Sequence, residues 1–155
     1  MKIKLLAVGT GMPSWVRSGY EAYSQRLTRD VQLDLIEIPA GHRSKSADLR
    51  RLTEKEGQAQ LAAVRPGDTL IALDLTGKAL STEKLAETLQ QWLLQGQTVC
   101  LAIGGPEGLD DAVRQQAAWS WSLSPLTLPH PLVRILVAEQ IYRAWTLLQG
   151  HPYHR

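Results

Sequence analysis

The end of the chain carries side chains that can move a proton or contact nucleic acid. It closes with "HPYHR", which places Tyr153, His154 and Arg155 just past a glycine that suits a helix end. Tyrosine stacks on bases, histidine exchanges a proton near neutral pH, and arginine holds phosphate. His130 and Arg143 add the same chemistry upstream. The alternative for so short an end is a disordered terminus.

The histidines of this region also raise the question of a metal. His130, His151 and His154 all carry imidazole, but no cysteine or acidic cluster accompanies them. Pro152 also removes the "HPYH" spacing from any helix. We therefore predict that the protein holds no metal.

A glycine-rich stretch at 103–108, "IGGPEG", lies between a predicted strand and a predicted helix. Gly104 and Gly105 would let the backbone approach a ligand closely. The stretch contains neither G-x-G-x-x-G nor G-K-[ST], so neither a dinucleotide fold nor a P-loop is predicted. The carboxylate of Glu107 would repel phosphate, which favours a neutral or cationic ligand with a flat ring. A tight turn without a ligand is the open alternative.

A second stretch, "LSPLTLPHP" at 123–131, combines prolines with leucines that would normally be buried. Backbone groups that cannot pair within such a loop need other partners, and a ligand can supply them. Leu123, Leu126 and Leu128 could form an apolar slot for a purine, while Ser124, Thr127 and main-chain amides read its polar edge. A packed connector without a ligand is the other interpretation.

These residues must be positioned by an alternation of strands and helices. Strands are predicted at 3–9, 31–39, 68–75, 98–105 and 119–124, and helices after Pro13 and at 46–64, 81–94, 110–118 and 130–150. Strands that are apolar on both faces predict a parallel sheet covered on both sides, an α/β fold. Ligands bind beyond the carboxyl ends of such strands, so the site is expected in the loops after Leu75, Ile103 and Leu123.

Local signals add three details. The residues "TGK" at 76–78 predict a turn after the third strand, and His130 is predicted as the N-cap of the last helix, with Gly150 just past its end. One apolar face of the first helix is predicted to carry Trp15, Val16, Tyr20 and Tyr23.

Composition limits the class of protein. The 155 residues are predicted to form one domain, 1–155, and the 44% hydrophobic and 21% charged content is that of a globular chain. The apolar start breaks at Gly9, too early for a signal peptide, and no later run could span a bilayer. We expect no membrane association and a cytoplasmic location. The single cysteine, Cys100, is predicted to be buried rather than catalytic.

Charge and apolar content are distributed unevenly. The net charge of +2 says little about binding to nucleic acid, but the stretch 41–51, here called the basic loop, carries four basic residues against one acidic residue.

The last helix is apolar nearly all round and must therefore be buried. Because Arg134, Glu139 and Arg143 are interspersed in it, we expect it to lie in an interface with a second copy of the chain.

The sequence resembles the RlmH family, the SPOUT-class ribosomal RNA large subunit methyltransferases H. The blocks that carry this resemblance are "LLAVGTGMPSWV", "LIEIPAGHR", "LDLTGK", "IGGPEG", "WSLSPLTLPHPLVRILVAEQIYRAW" and "HPYHR". Six blocks in one order cover essentially the whole chain. The resemblance implies an α/β fold with a C-terminal trefoil knot, a homodimer, and transfer of a methyl group from S-adenosylmethionine (AdoMet) to N3 of a pseudouridine in 23S rRNA. Because the overall charge is weak, we expect naked RNA to bind poorly and the assembled ribosome to be the substrate.

The resemblance also implies which residues act. It places the cofactor on Leu73, Gly104, Leu123, Ser124, Pro125, Leu126, Thr127 and Leu128. The catalytic candidates are His154 or His130 as base or proton relay, Arg143 and Arg155 as holders of the anionic base or phosphate, and Tyr153 as the group that orients the base.

The end of the chain cannot easily reach its own glycine loop across a helix about 30 Å long. We therefore predict a composite site, with the cofactor loops from one chain and the end of the partner chain. The rival function is a non-catalytic module that binds RNA or the ribosome through the basic loop and the C-terminal residues.

Overall fold

The computed structural model describes residues 1–154, with the side chains of residues 1–153. Within this part of the chain, strands and helices alternate as predicted. They are β1 (Lys2–Val8), α1 (Ser14–Ser24), β2 (Gln32–Ile38), α2 (Leu49–Ala62), β3 (Thr69–Ala79), α3 (Thr82–Gln95), β4 (Val99–Ile103), α4 (Asp111–Gln116), β5 (Trp119–Ser122) and α5 (His130–Leu148), followed by a 3-10 turn, Pro152–His154.

The five strands form a parallel sheet in the order β2-β1-β4-β3-β5. In the middle of this sheet, Ile3 of β1 lies opposite Leu33 of β2 on one side and Val99 of β4 on the other. Because every pair is parallel, the carboxyl ends of all five strands meet at one edge, here called the carboxyl edge. The predicted α/β fold with a parallel sheet is confirmed.

Helices cover both faces of the sheet, as the apolar runs predicted. Leu5 of β1 belongs to the cluster that packs against α1, α3 and α5, whereas its neighbour Leu6 belongs to the cluster under α2 and α4. This alternation follows from the two-residue period of a strand. The layer of α1, α3 and α5 holds the larger core, with Leu89 and Ile141 fully buried.

Cys100 is fully buried in β4, as predicted. Its Sγ donates a hydrogen bond of 3.6 Å to the carboxylate of Asp68. Burial, with the charge of Asp68, raises the pKa of the thiol to about 11. The thiol therefore stays protonated at neutral pH, which confirms a structural rather than a nucleophilic side chain.

Two predicted details of the strands and helices were wrong. Trp15 is 55% exposed, since it lies about 100° around α1 from the inward face that Val16 and Tyr20 share. The turn expected at 76–78 is instead a bulge of β3, which pairs with β5 again from Lys78 onward. A Cβ on Gly77 would lie 2.6 Å from the carbonyl carbon of Ser120, so this glycine serves close strand packing.

Two helices begin a few residues away from their predicted starts. α2 begins at Leu49 rather than near position 46, because the carboxylate of Asp48 accepts the amide of Arg51 and caps the helix. α5 has Pro129 as its N-cap, so His130 is the first helical residue rather than the cap. Gly150, with a φ of +67°, follows the helix end as predicted. No helix in the described range is both long and apolar enough to cross a bilayer.

Candidate active site

The residues predicted to hold the cofactor lie on three adjacent strands at the carboxyl edge. Leu73 of β3 lies opposite Trp121 of β5. Leu123, the first residue of the loop 123–128, follows Trp121 by two positions. β4 lies on the other side of β3, and Gly104 follows its last residue directly. The structure thus brings Leu73, Gly104 and the loop 123–128 together at one edge.

The loop 123–128 is held by two serine side chains and leaves main-chain donors open. The amide of Leu126 donates to Oγ of Ser124 over 2.9 Å, and Oγ of Ser122 donates to the carbonyl of Ser124 over 3.1 Å. The amides of Thr127 and Leu128 have no acceptor among residues 1–153. Such amides suit the nitrogen acceptors of a purine edge.

The predicted apolar slot is only partly formed in a single chain. Leu123 and Leu128 are half-buried, whereas Leu126 is 71% exposed. A slot built from all three leucines is therefore not closed by this chain alone. Pro125 and Thr127 are exposed as well.

The glycine loop 104–108 is a tight turn that closes on its own backbone. Gly105 pairs with Gly108 in an antiparallel bridge, and the amide of Gly108 donates to the carbonyl of Gly105 over 3.0 Å. A Cβ on Gly104 would collide with the backbone of Gly108 and Leu109. The turn therefore requires glycine at position 104, whatever ligand the loop holds.

An ion-pair cluster ties the basic loop to the glycine loop. Nη2 of Arg43 lies 2.8 Å from Oε2 of Glu107 and also pairs with Glu56 of α2. Nη1 of Arg43 donates to the carbonyl of Gly41 over 2.8 Å. One of the four cations of the basic loop is thus used inside the protein. It also compensates the charge of Glu107, which weakens the predicted repulsion of phosphate.

Arg43→Gln is expected to lower the free energy of unfolding by about 2–4 kcal/mol at neutral pH, because it leaves the buried carboxylate of Glu56 without a cation. The hydrogen bond from Arg43 lowers the pKa of Glu107 below its ordinary 4.5. The stabilisation from this pair is therefore present above pH 4.5 and is lost as pH falls through the lower, folded-state pKa.

Urea unfolding at several pH values measures this effect. Lys45→Gln, an exposed change in the same loop, is the matched control and should stay within about 0.5 kcal/mol of the original protein. Equal stability of the two variants at neutral pH would contradict a stabilising role for the cluster.

His130 stands at the carboxyl edge, in the first turn of α5. Its Cε1 lies 3.5 Å from the point that a Cβ on Gly9 would occupy. Its Nδ1 is buried and has no hydrogen-bond partner among the described residues. Burial, followed by the charges of Arg134 and Arg43, lowers the pKa of His130 below 6.5. The imidazole is therefore uncharged at neutral pH and able to accept a proton.

Arg143 and Tyr153 form a separate cluster with Glu139. Nη2 of Arg143 lies 2.6 Å from Oε1 of Glu139, and its guanidinium stands 5.1 Å from the centre of the Tyr153 ring. The hydroxyl of Tyr153 donates to the carboxylate of Glu139 over 3.1 Å. The rings of Tyr153 and Tyr142 pack edge to face, with their centroids 4.7 Å apart. Burial, with a hydrogen bond to Tyr23, raises the pKa of Tyr153 to about 12. Tyr153 thus anchors the end of the chain on α5.

Among the described side chains, the predicted catalytic residues His130, Arg143 and Tyr153 do not come together within one chain. Arg143 follows His130 by thirteen residues of α5, which is about 20 Å along a helix axis. His130 therefore lies at the carboxyl edge, while Arg143 and Tyr153 lie towards the far end of the helix. The side chain of His154 and all of Arg155 lie outside the described residues.

Arg134 also belongs to the carboxyl edge, although it was not among the predicted site residues. It is fully buried and donates to backbone carbonyls at the end of β1. The signal for it was present in the sequence, because an arginine inside the apolar run "LVRILVA" of a buried helix must find partners. Among the side chains of residues 1–153, no group of three His, Cys, Asp or Glu is arranged to hold a metal ion.

Comparison with known proteins identifies the family of this chain. A family model described as a predicted SPOUT methyltransferase matches residues 1–154. A curated protein of Hahella chejuensis, named "Ribosomal RNA large subunit methyltransferase H", is 55% identical over 155 residues, covering 100% of this chain and 99% of its own length. The chain therefore belongs to the SPOUT methyltransferases and, within them, to the RlmH family, as its sequence blocks predicted.

Proposed function

We propose that this protein transfers the methyl group of AdoMet to N3 of a pseudouridine in 23S rRNA, acting on the assembled ribosome in the cytoplasm. The observation that carries this proposal is the full-length identity of 55% to a curated large-subunit rRNA methyltransferase. The three cofactor segments that meet at the carboxyl edge support it, since this is where parallel sheets bind ligands.

The residues at this edge fit AdoMet in chemistry. The open amides of Thr127 and Leu128 suit an adenine edge, and the half-buried Leu73 and Leu123 suit its apolar faces. Arg43, Glu56 and Glu107 together carry a net negative charge beside the glycine loop, which suits a cationic sulfonium rather than a phosphate. When bound, AdoMet supplies an electrophilic methyl group. We further propose that the C-terminal part of the chain forms the trefoil knot of its family around this cofactor.

His130 is the described residue best suited to take the N3 proton. Its neutral imidazole can accept the proton as the N3–H bond breaks, which leaves an electron pair on N3. That pair would form the bond to the methyl carbon while the bond from this carbon to the AdoMet sulfur breaks, and the sulfur would leave as a neutral thioether. Orientation of the base within about 3–3.5 Å of the methyl group supplies much of the rate. His154 is the alternative base, and its side chain lies outside the described residues.

The active site is proposed to be shared between two chains of a homodimer. Tyr153 and Arg143 lie far along α5 from their own cofactor loops, so the partner chain brings these groups to the base. Large apolar side chains left open on α1 and α5 are available to that partner. They are Trp15, Leu132 and Leu136.

Methyl incorporation tests the proposed function. With AdoMet carrying a labelled methyl group, we expect label at N3 of one pseudouridine of 23S rRNA when ribosomes are the substrate, and at least about tenfold slower labelling of free rRNA. Mass spectrometry of digested rRNA identifies the position. If titration calorimetry with AdoMet gives no heat and ribosomes gain no label, the protein is an RNA-binding module rather than an enzyme.

A further inference from the structure

One charged side chain of α5 lies entirely in the core. Arg134 is 1% exposed and lies beside Val137 and Ala138, which are apolar and fully buried on the same helix face. A buried guanidinium is costly unless its donors are paired, so its partners must hold fixed positions. Arg134 lies one helical turn after His130, on the same side of the helix.

The partners of Arg134 are the carboxyl ends of two adjacent strands. Its Nη1 donates to Oε2 of Glu37 in β2 over 2.7 Å. Its Nη2 donates to the carbonyl of Gly9 over 2.8 Å and to that of Val8, at the end of β1, over 3.3 Å. The guanidinium thus joins the start of α5 to the ends of β1 and β2.

Gly9 lies close to both Arg134 and the candidate base, His130. Its φ of +113° requires glycine, and its amide donates to the carbonyl of Ile38 over 2.7 Å. Nη2 of Arg134 lies 3.4 Å, and Cε1 of His130 3.5 Å, from the point where a Cβ on Gly9 would stand. The His130 ring therefore lies beside a backbone segment that Arg134 holds.

We infer that Arg134 is a positioning residue for methyl transfer, because its guanidinium fixes the Gly9 backbone beside which the His130 ring lies. This inference rests on the proposed function and on His130 as the proton acceptor. Arg134 itself is buried and contacts no reacting atom in this role.

The same geometry gives Arg134 an electrostatic effect on His130. Its positive charge disfavours a second positive charge on the imidazole, and Arg43 of the basic loop acts in the same sense. Three acidic side chains pair with these two arginines, and they are Glu37 of β2, Glu56 of α2 and Glu107 of the glycine loop. From α1, Arg17 and Glu21 line the same cavity as Arg134 and Glu37.

Two substitutions should move the pKa of His130 in opposite directions. Arg134→Gln removes a cation and leaves Glu37 uncompensated, so the pKa of His130 should rise by about half a unit or more. Glu37→Gln removes the anion and leaves Arg134 charged, so the pKa should fall. Arg134→Lys keeps the charge and should leave the pKa of His130 near its original position, while it loses the planar guanidinium whose two terminal nitrogens bind Glu37 and the two carbonyls.

NMR titration of histidine-labelled protein without RNA measures these shifts directly, and a His130→Gln variant assigns the signal. Opposite shifts in Arg134→Gln and Glu37→Gln support the inference. An unchanged His130 midpoint in both would overturn it, as would an equal rise in Arg134→Lys and Arg134→Gln. If Arg134→Gln does not fold, Glu37→Gln still tests the sign.

Methyl transfer to ribosomes provides the second readout. Arg134→Gln should bind AdoMet within about threefold of the original affinity, yet lose about tenfold or more in kcat/KM near neutral pH and recover part of it at higher pH. A general loss of stability would lower the rate equally at every pH and would contradict the inference. If the original protein itself fails to label ribosomes, the proposed function fails, whereas the titration result still stands.

Discussion

A chain that ends at Gly150 is expected to bind AdoMet with its original affinity and to transfer no methyl group to ribosomes. The truncation removes Tyr153, whose ring packs on Tyr142 and whose hydroxyl donates to Glu139, together with His154 and Arg155. It retains Gly150, whose positive φ ends α5, so the helix keeps its natural stop. None of the three cofactor segments at the carboxyl edge is touched.

Titration calorimetry with AdoMet and labelled methyl transfer to ribosomes measure the two halves of this prediction. Gln149→Ala, an exposed change at the same end of α5, is the control and should keep the original rate. Full activity of the truncated chain would remove the C-terminal residues from the active site. Loss of AdoMet affinity would instead show that these residues support the cofactor edge of the fold.

Two inactive variants are expected to restore activity to one another when they are mixed. One is the chain that ends at Gly150, and the other is Gly104→Ala, whose Cβ would collide with the backbone of Gly108 and distort the glycine loop. In a shared site, a heterodimer pairs intact cofactor loops from the first chain with an intact C-terminal end from the second. Random exchange of subunits should then give about a quarter of the original rate.

The experiment requires unfolding and joint refolding, or co-expression with two tags, so that the chains exchange partners. Calorimetry should first show that Gly104→Ala binds no AdoMet. A mixture that stays as inactive as either variant alone would place the cofactor loops and the C-terminal end of one chain in the same site. The control is a mixture of Gly104→Ala with itself under identical treatment, which should remain inactive.

The strands, the helices and the edge that holds the cofactor segments were predictable from the sequence, because each depends on local patterns. Apolar runs such as "LLAV" and "CLAI" became β1 and β4, and Gly150 ended α5. The parallel arrangement followed from strands that are apolar on both faces, and it brought the loops after β3, β4 and β5 to one edge.

The charged contacts were not predictable, because they join residues far apart in the sequence. Arg134 pairs with Glu37 across 97 positions, and Arg43 with Glu107 across 64. Periodicity marks a helix face as apolar or polar, but it does not identify the strand end or loop that comes to meet a given charge. The contact of Tyr153 with α5 was missed for the same reason, since it depends on how the chain turns after Gly150.

The position of Trp15 shows the limit of periodicity in a short helix. Val16 and Tyr20 are one turn apart and face the core, whereas Trp15 precedes them by one residue and is exposed. Size and apolar character placed Trp15 in the core, but the geometry of α1 places it outside. If the proposed homodimer covers the Trp15 side chain, this residue is buried as its apolar character suggests, but by the partner chain instead of its own.

The central pair of strands also sets the order in which the protein can fold. Ile3 of β1 pairs with Val99 of β4, 96 positions further along the chain. Contacts of such sequence separation slow folding, because a long loop must close before they form. The carbonyls of Val8 and Gly9 receive their hydrogen bonds only after α5 has packed on the sheet, because the donor is Arg134 of α5. The contacts that hold the end of β1 therefore require α5 in its place, so the active site proposed at the carboxyl edge is complete only when α5 has packed.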